Sequence, residues 1–136
     1  MKKTLVLIAL LASILAACAP GASASVVGEW RLESYGDPAS LTPGAPDVET
    51  SIIFDKNGHM SGNVGCNGFG GEYAIDGDAI VFGQVVSTLM FCEGPVGVQE
   101  SVILSVFRDT ASLAVEGDTL TITSADGNAV VVLMKK

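Results

Sequence analysis

Short apolar or alternating runs, broken every few residues by Gly, Asp or Asn, follow one another through the chain from residue 26 onward. This rhythm is typical of antiparallel strands joined by tight turns. The first run places Trp30, Leu32 and Ser34 at period two, the spacing that brings side chains to one face of a strand. The sequence therefore predicts an α+β, mainly β domain at residues 26–136. We expect a curled antiparallel sheet or partly open barrel of about eight strands with one packed helix.

The individual runs give the predicted strands. They are Val26–Tyr35, Thr50–Phe54, His59–Val64, Phe69–Ile75, Ala79–Phe82, Val85–Met90, Leu113–Val115, Thr119–Thr123 and Ala129–Met134. The segment Gly36–Val48 holds three prolines and is predicted to be a loop. Lys56-Asn57-Gly58 is predicted to be a type I′ hairpin turn, because Asn-Gly tolerates the positive φ that this turn requires.

One segment has helical instead of strand periodicity. Pro95 suits a first helical turn, and the pattern continues to Arg108. The apolar residues at helical spacing are Val98, Val102, Ile103, Val106 and Phe107. The sequence therefore predicts a single helix between the sixth and seventh of these strands.

The first residues of the chain have the composition of a secretory signal. Lys2 and Lys3 precede an almost unbroken apolar run, Thr4–Leu15, which is short for a membrane-spanning helix. The run ends in Leu15-Ala16-Ala17-Cys18, which resembles the bacterial lipobox. A plain signal peptide followed by an incidental cysteine is the alternative.

The lipobox resemblance implies that residues 1–17 are removed and that Cys18 carries the lipid. A lipidated Cys18 would carry three acyl chains, and two or more give stable anchoring. Residues 18–25 are small and uncharged, and are expected to form a tether. Ala19 stands where an aspartate would retain the protein at the inner membrane of enterobacteria. We therefore expect an exported protein anchored to the outer membrane and facing the periplasm.

The charge of the chain excludes some classes of partner. Without Lys2 and Lys3, five of the seven basic residues remain against fifteen acidic ones, so the mature chain carries a net charge of −10. Nucleic acid requires clustered Lys and Arg, and anionic lipid headgroups would repel this chain. The acidic residues are scattered, which favours a solvated surface over a cation-binding face. No cofactor is predicted.

The chain has three cysteines, Cys18, Cys66 and Cys92, an odd number that leaves one outside any disulfide. If Cys18 carries lipid, Cys66 and Cys92 remain as an even number in a compartment that permits disulfides. A bridge between them would contribute roughly 3–4 kcal/mol by loop entropy. The alternatives are two free thiols or a two-ligand metal site to which only His59 could add a nitrogen. We expect the disulfide.

Several short motifs resemble those of the META domain (HslJ-like) family. They are Trp30-x-Leu32-x-Ser34, Phe54-Asp55-x-x-Gly58, Gly62-x-x-Gly65-Cys66-Asn67-x-Phe69-x-Gly71-x-Tyr73, Ser87-Thr88-x-Met90-x-Cys92, the helix with Glu100, and Glu116-Gly117-Asp118-x-Leu120. The resemblance implies a compact mixed β domain, a structural Cys66–Cys92 pair and a Gly-Cys-Asn turn. Phe91 departs from the small residue usual before the second cysteine, and Glu93–Val98 is unusually rich in Gly and Pro.

The residues offer little for catalysis. The glycine-rich stretch Gly62–Gly71 is followed by a strand, whereas a phosphate cradle needs a helix there. His59 is expected at a hairpin, about 20 Å along the strand from Cys66. The carboxylate pairs sit in glycine turns, and turn chemistry alone explains them: Asp76 with Asp78, and Glu116 with Asp118. No catalytic or metal-binding residue is therefore predicted.

These observations favour a non-enzymatic envelope module that binds a protein partner or an apolar ligand, or that acts under stress. One alternative is a redox or hydrolytic enzyme that uses Cys66, Cys92 or His59. Another is a pilot or assembly lipoprotein of a secretion system, which rests on associations reported for the META family. The sequence does not determine the oligomeric state.

Overall fold

The computed structural model describes residues 26–136, which form ten strands and one long helix. The strands are β1 (Gly28–Asp37), β2 (Ser40–Pro43), β3 (Ser51–Phe54), β4 (His59–Asn63), β5 (Gly68–Asp76), β6 (Ala79–Phe82), β7 (Val86–Ser87), β8 (Thr110–Glu116), β9 (Thr119–Thr123) and β10 (Val130–Lys135). The helix α1 (Gly94–Val106) lies between β7 and β8. The predicted signal peptide 1–17, the tether 18–25 and the anchor Cys18 lie outside the described residues.

Eight of the strands close into an antiparallel barrel. Their order is β1-β3-β4-β5-β6-β8-β9-β10, and β10 pairs back with β1 from Trp30↔Lys135 to Gly36↔Val130. The two short strands lie outside this ring, β2 paired with β1 and β7 paired with β5. The predicted mainly β fold with one packed helix is confirmed. The barrel is closed, because the last strand supplies the partner for the free edge of the first.

Side chains of the chain itself fill the barrel. Six aromatic residues are buried in this core: Trp30, Phe54, Phe69, Tyr73, Phe82 and Phe107. Phe54 and Tyr73 pack edge to face with ring centroids 5.0 Å apart, and Phe82 and Phe107 lie 5.2 Å apart. Such contacts add about 0.5–1.5 kcal/mol each beyond the burial of area. The interior is therefore a packed core.

The predicted loop Gly36–Val48 is wrong in part. β1 continues to Asp37, and β2 pairs with it from Asp37↔Ser40 to Ser34↔Pro43. The Asp37 side chain accepts a hydrogen bond from the Ala39 backbone at 2.8 Å and so stabilises the turn. Every residue of β2 is exposed, so this strand has no apolar alternation by which the sequence could reveal it.

The hairpin at Lys56-Asn57-Gly58 forms, but its predicted type is wrong. A type I′ turn needs positive φ at both central residues, whereas here only Gly58 has it, at +84°. Asp55 determines the alternative: its Oδ1 accepts hydrogen bonds from the backbones of Asn57 and His59, at 2.8 and 2.9 Å. The result is a three-residue loop that ends in a left-handed glycine.

The helix buries the predicted face except at its first position, Val98. Ile103, Val106 and the following Phe107 are buried as expected, but Val98 is 59% exposed. Gln99 and Glu100 are buried in its place. Both polar side chains can lie inside because hydrogen bonds satisfy them there. The helix is too short for a membrane span, and none among the described residues is long and apolar enough to cross a bilayer.

The predicted strand Val85–Met90 is also wrong in part, because only Val86–Ser87 pairs with β5. From Thr88 onward the chain leaves the sheet. The Thr88 backbone still donates to the Gly68 carbonyl at 3.0 Å. Beyond this bond, the Asn67 side chain forms hydrogen bonds with Thr88 and Met90, where a strand would pair with the backbone of its neighbour.

Candidate functional site

The Cys66–Cys92 disulfide joins the loop between β4 and β5 to the segment that precedes α1. The two Cα atoms lie 6.2 Å apart, within the range of ordinary disulfides. The structure thus forms the pair expected from the cysteine count. The bridge ties a segment outside the sheet, residues 88–92, to the barrel wall.

Asn67 occupies the space directly beneath the disulfide and is only 4% exposed. Its backbone N donates to Glu100 Oε2 and its Nδ2 donates to Glu100 Oε1, both at 2.6 Å. Glu100 is likewise buried, at 9% exposure. A buried carboxylate is costly unless hydrogen bonds satisfy it, so Asn67 is the residue that makes this position tolerable for Glu100.

Asn67 also holds the segment 88–92 in place. Its Oδ1 accepts hydrogen bonds from Thr88 Oγ1 at 2.7 Å and from the Met90 backbone at 2.8 Å. Its Nδ2 lies 3.1 Å from the Met90 carbonyl. In the Gly-Cys-Asn turn the positive φ belongs to Gly65, at +126°, and not to Asn67. The amide side chain is what the site requires.

Gln99, fully buried, completes the polar layer under the helix. Its Nε2 donates to the Val64 carbonyl at 2.6 Å, and its Oε1 accepts from the Ala45 backbone at 2.7 Å. These bonds hold α1 against two separate loops. Close packing at Gly97 has the same effect, since a Cβ there would collide with the Cys92 carbonyl.

The segment 88–92 carries three largely exposed apolar side chains: Leu89 is 95% exposed, Phe91 88% and Met90 61%. Val98 on α1, 59% exposed, lies close to Phe91. We call these four residues the apolar patch. A groove of about 450 Å³ runs beside it, bordered by Phe91, Cys92 and Val98 among others. Large apolar residues exposed together on a soluble surface mark interaction sites.

Among the described residues, the one group of metal-type donor atoms lies at the disulfide, not at His59. One donor atom each from Cys66, Cys92 and Glu100 lies within 4.8 Å of the others. The S–S bond occupies both sulfurs, so they could act as metal ligands only after reduction. His59 is exposed at its hairpin with Nδ1 3.4 Å from Asp55 Oδ2. It takes no part in the disulfide region.

Hydrogen bonds shift the acid–base properties of the hairpin. The His59 backbone N–H, together with the Asn57 N–H and the His59 side chain, lowers the pKa of Asp55. Burial, and secondarily the negative charge of Asp55, raise the pKa of Tyr73. The Tyr73 hydroxyl donates to the Asp55 carbonyl at 2.6 Å. This cluster anchors a turn and presents no open site.

The glycine-rich stretch and the paired carboxylates have structural roles. Gly62 lies where a Cβ would collide with the Ser51 carbonyl on β3, and Gly71 packs against the Gln84 carbonyl. The stretch leads into β5, as expected, and not into a helix. Two turns, Asp76–Ala79 between β5 and β6 and Glu116–Thr119 between β8 and β9, carry the carboxylate pairs.

The sequence did not identify Gln99 and Glu100 together as buried residues of the site. They lie next to each other in a helix, Gly94–Val106, whose remaining polar residues are only two serines. Two adjacent polar residues on an apolar helix indicate buried hydrogen bonding, and this was the available signal. Their partners, 33 and 35 residues away in the β4–β5 loop, have no such signal.

The protein is thus a small β-barrel protein. Its barrel of eight antiparallel strands is closed, with one helix packed on it and one disulfide beside that helix. Within this class the chain belongs to the META domain family, whose model matches residues 24–136. The resemblance found in the motifs is therefore confirmed.

Solved structures show the same fold. A Burkholderia xenovorans protein determined by NMR superposes with a TM-score of 0.68 at 19% identity, covering 85% of this chain and 86% of that one. A second NMR structure gives 0.66 at 17% identity, over 86% and 96% of the two chains. A DUF4847 family protein from Bacteroides vulgatus gives 0.57 at 13%, over 82% and 94%. None of the curated proteins matches the sequence.

Proposed function

We propose that this chain is an envelope lipoprotein whose META domain binds an apolar segment of another envelope protein at the apolar patch. The observation that carries the proposal is the exposure of Leu89 and Phe91, at 95% and 88%, on a segment held in place by a disulfide. Exposed apolar side chains on a mobile segment lose entropy on binding, whereas a restrained segment is organised in advance.

The occupant is inferred from charge and packing. The barrel interior is filled by the domain's own side chains, so an apolar ligand would have to bind at the surface. Glu93 is exposed beside the patch, and the expected mature chain carries a net charge of −10. Anionic lipid headgroups would be repelled by both. An apolar protein segment, neutral or flanked by basic residues, fits the patch better than a bilayer does.

Photo-cross-linking tests the docking surface. A photoreactive residue at position 91 is expected to give a specific adduct in envelope membranes, and Leu89→Ser should reduce its yield at least tenfold. A matched control is Val81→Ser, because Val81 is also an exposed apolar residue, at 39%, but lies on β6. Equal adduct yields in Leu89→Ser and Val81→Ser would contradict the proposal. So would patch-dependent binding to protein-free vesicles of anionic lipid.

The anchor is tested separately. If Cys18 carries the lipid, Cys18→Ala protein should leave the membrane fraction and lose labelling by radioactive fatty acid. Wild-type protein should fractionate with the outer membrane. A labelled, membrane-bound Cys18→Ala protein would contradict the anchor without affecting the docking surface.

A further inference from the structure

The disulfide opens onto the apolar patch. Cys92 follows Phe91 directly and borders the same groove. Cys66 and Cys92 are each half-buried, so part of the bridge faces outward. A segment bound at the patch would therefore lie beside the S–S bond.

The groups around the sulfurs are those that a reactive thiol needs. Glu100 Oε1 lies 3.9 Å from Cys92 Sγ. Asn67 Nδ2 lies 3.2 Å from Cys92 Sγ and 3.8 Å from Cys66 Sγ, so the N–H group that donates to the Met90 carbonyl at 3.1 Å can turn to a thiolate instead. No Lys or Arg of residues 26–136 forms a salt bridge with the Glu100 carboxylate. A disulfide that only joins two segments requires neither a carboxylate that can accept a proton nor an N–H group that can donate a hydrogen bond to a thiolate at this distance.

We propose that Cys66–Cys92 is a reactive disulfide that oxidises a dithiol in a protein segment bound at the apolar patch. The docking part of this inference rests on the proposed function. The redox part rests on Glu100 and Asn67. The patch selects the substrate, a pair of cysteines flanked by apolar residues, and places one of its sulfurs beside Cys92.

The reaction is a two-step exchange. A substrate thiolate attacks Cys92 Sγ, a substrate–Cys92 bond forms, the S–S bond breaks, and Cys66 leaves as a thiolate. The second substrate thiolate then attacks the substrate sulfur of the mixed disulfide and releases Cys92 as a thiolate. The substrate loses two electrons and two protons. Cys66 and Cys92 gain both. Glu100 carries the protons one at a time, from the first substrate thiol to the Cys66 thiolate and from the second substrate thiol to the Cys92 thiolate.

Single-turnover exchange tests the inference on protein carrying Cys18→Ser, in which Cys66 and Cys92 are the only cysteines. The probes are a synthetic dithiol peptide with flanking leucines and the same peptide with serines. Acid quenching and thiol alkylation give the rate at which the protein disulfide is reduced. We expect the leucine peptide to react about tenfold faster or more, and Phe91→Ser to abolish this advantage.

Proton transfer is tested with Glu100→Gln, for which about a tenfold or larger loss of rate is expected, because acid–base catalysis contributes at least this much. The loss should be accompanied by a changed pH profile. Glu116→Gln removes an exposed carboxylate from a distant turn and should have the wild-type rate and profile. If Glu100→Gln does not fold, the wild-type comparison of the two peptides decides.

The outcomes separate the two proposals. Equal rates for both peptides, or a Glu100→Gln rate and pH profile like wild type, would overturn the exchange reaction. If photo-cross-linking at position 91 still succeeded in that case, the docking surface would stand alone. Fast exchange with the leucine peptide that Phe91→Ser leaves unchanged would overturn the docking step and contradict the patch.

Discussion

Asn67→Ala should destabilise the domain more than its small loss of volume suggests. Besides two weaker contacts with the sulfurs, the substitution removes four side-chain hydrogen bonds, at 2.6 Å to Glu100 Oε1, 3.1 Å to the Met90 carbonyl, 2.8 Å from the Met90 backbone and 2.7 Å from Thr88 Oγ1. A neutral bond contributes about 1 kcal/mol net and a bond to a charged group about 2 kcal/mol. Water can replace part of the bonding at the exposed Met90. The expected loss is about 3–5 kcal/mol.

Urea unfolding with the disulfide intact measures this loss. The matched control is Asn57→Ala, because Asn57 is an exposed turn residue, and its change should stay within about 0.5 kcal/mol. Asn67→Asp should also be destabilised, increasingly as pH rises from 4 to 7, because it would bring a second carboxylate against Glu100. A loss below about 1 kcal/mol for Asn67→Ala would refute the reasoning that these bonds stabilise the site.

Three further changes test other parts of the fold. Replacing Cys66 and Cys92 together by alanine should cost roughly 3–4 kcal/mol in urea unfolding, and reduction of wild-type protein should cost the same; an unchanged midpoint would contradict the bridge. Gly62→Ala should cost more than about 2 kcal/mol because its Cβ meets a neighbouring strand, whereas Gly68→Ala, with ordinary contacts, should cost less than about 1 kcal/mol. Asp55 has a lowered pKa, so its contribution is present at neutral pH and lost on acidification through its folded pKa. Asp55→Asn should therefore lower the melting temperature at pH 7, and the difference from wild type should shrink below about pH 4; a constant difference would contradict this.

The sequence predicted the barrel because its strands are half-buried and alternate. β3 shows this, with Ile52 and Phe54 inward and Ile53 outward. β2 escaped prediction because no residue in it is buried. The predicted strand Val85–Met90 was too long for the opposite reason. Its apolar residues look like a strand, yet Leu89 and Met90 point to solvent.

The candidate site was predictable only in part. Cysteine arithmetic and the family resemblance paired Cys66 with Cys92, since both depend on residue identity alone. The hydrogen bonds between Asn67 and Glu100 span 33 residues, and no local pattern predicts such a contact. The predicted burial of Val98 was also wrong, because Val98 fits the apolar helical period but is exposed. Burial of Gln99 and Glu100 in its place is a tertiary effect.

The pairing of β1 with β10 determines when this domain can finish folding. Synthesis releases the N-terminal strand first, and its main-chain partner Val130–Lys135 comes nearly a hundred residues later. Until then one edge of β1 stays open, and contacts between distant segments form slowly. A free peptide copying Val130–Lys135 would compete for the same edge and trap the barrel open.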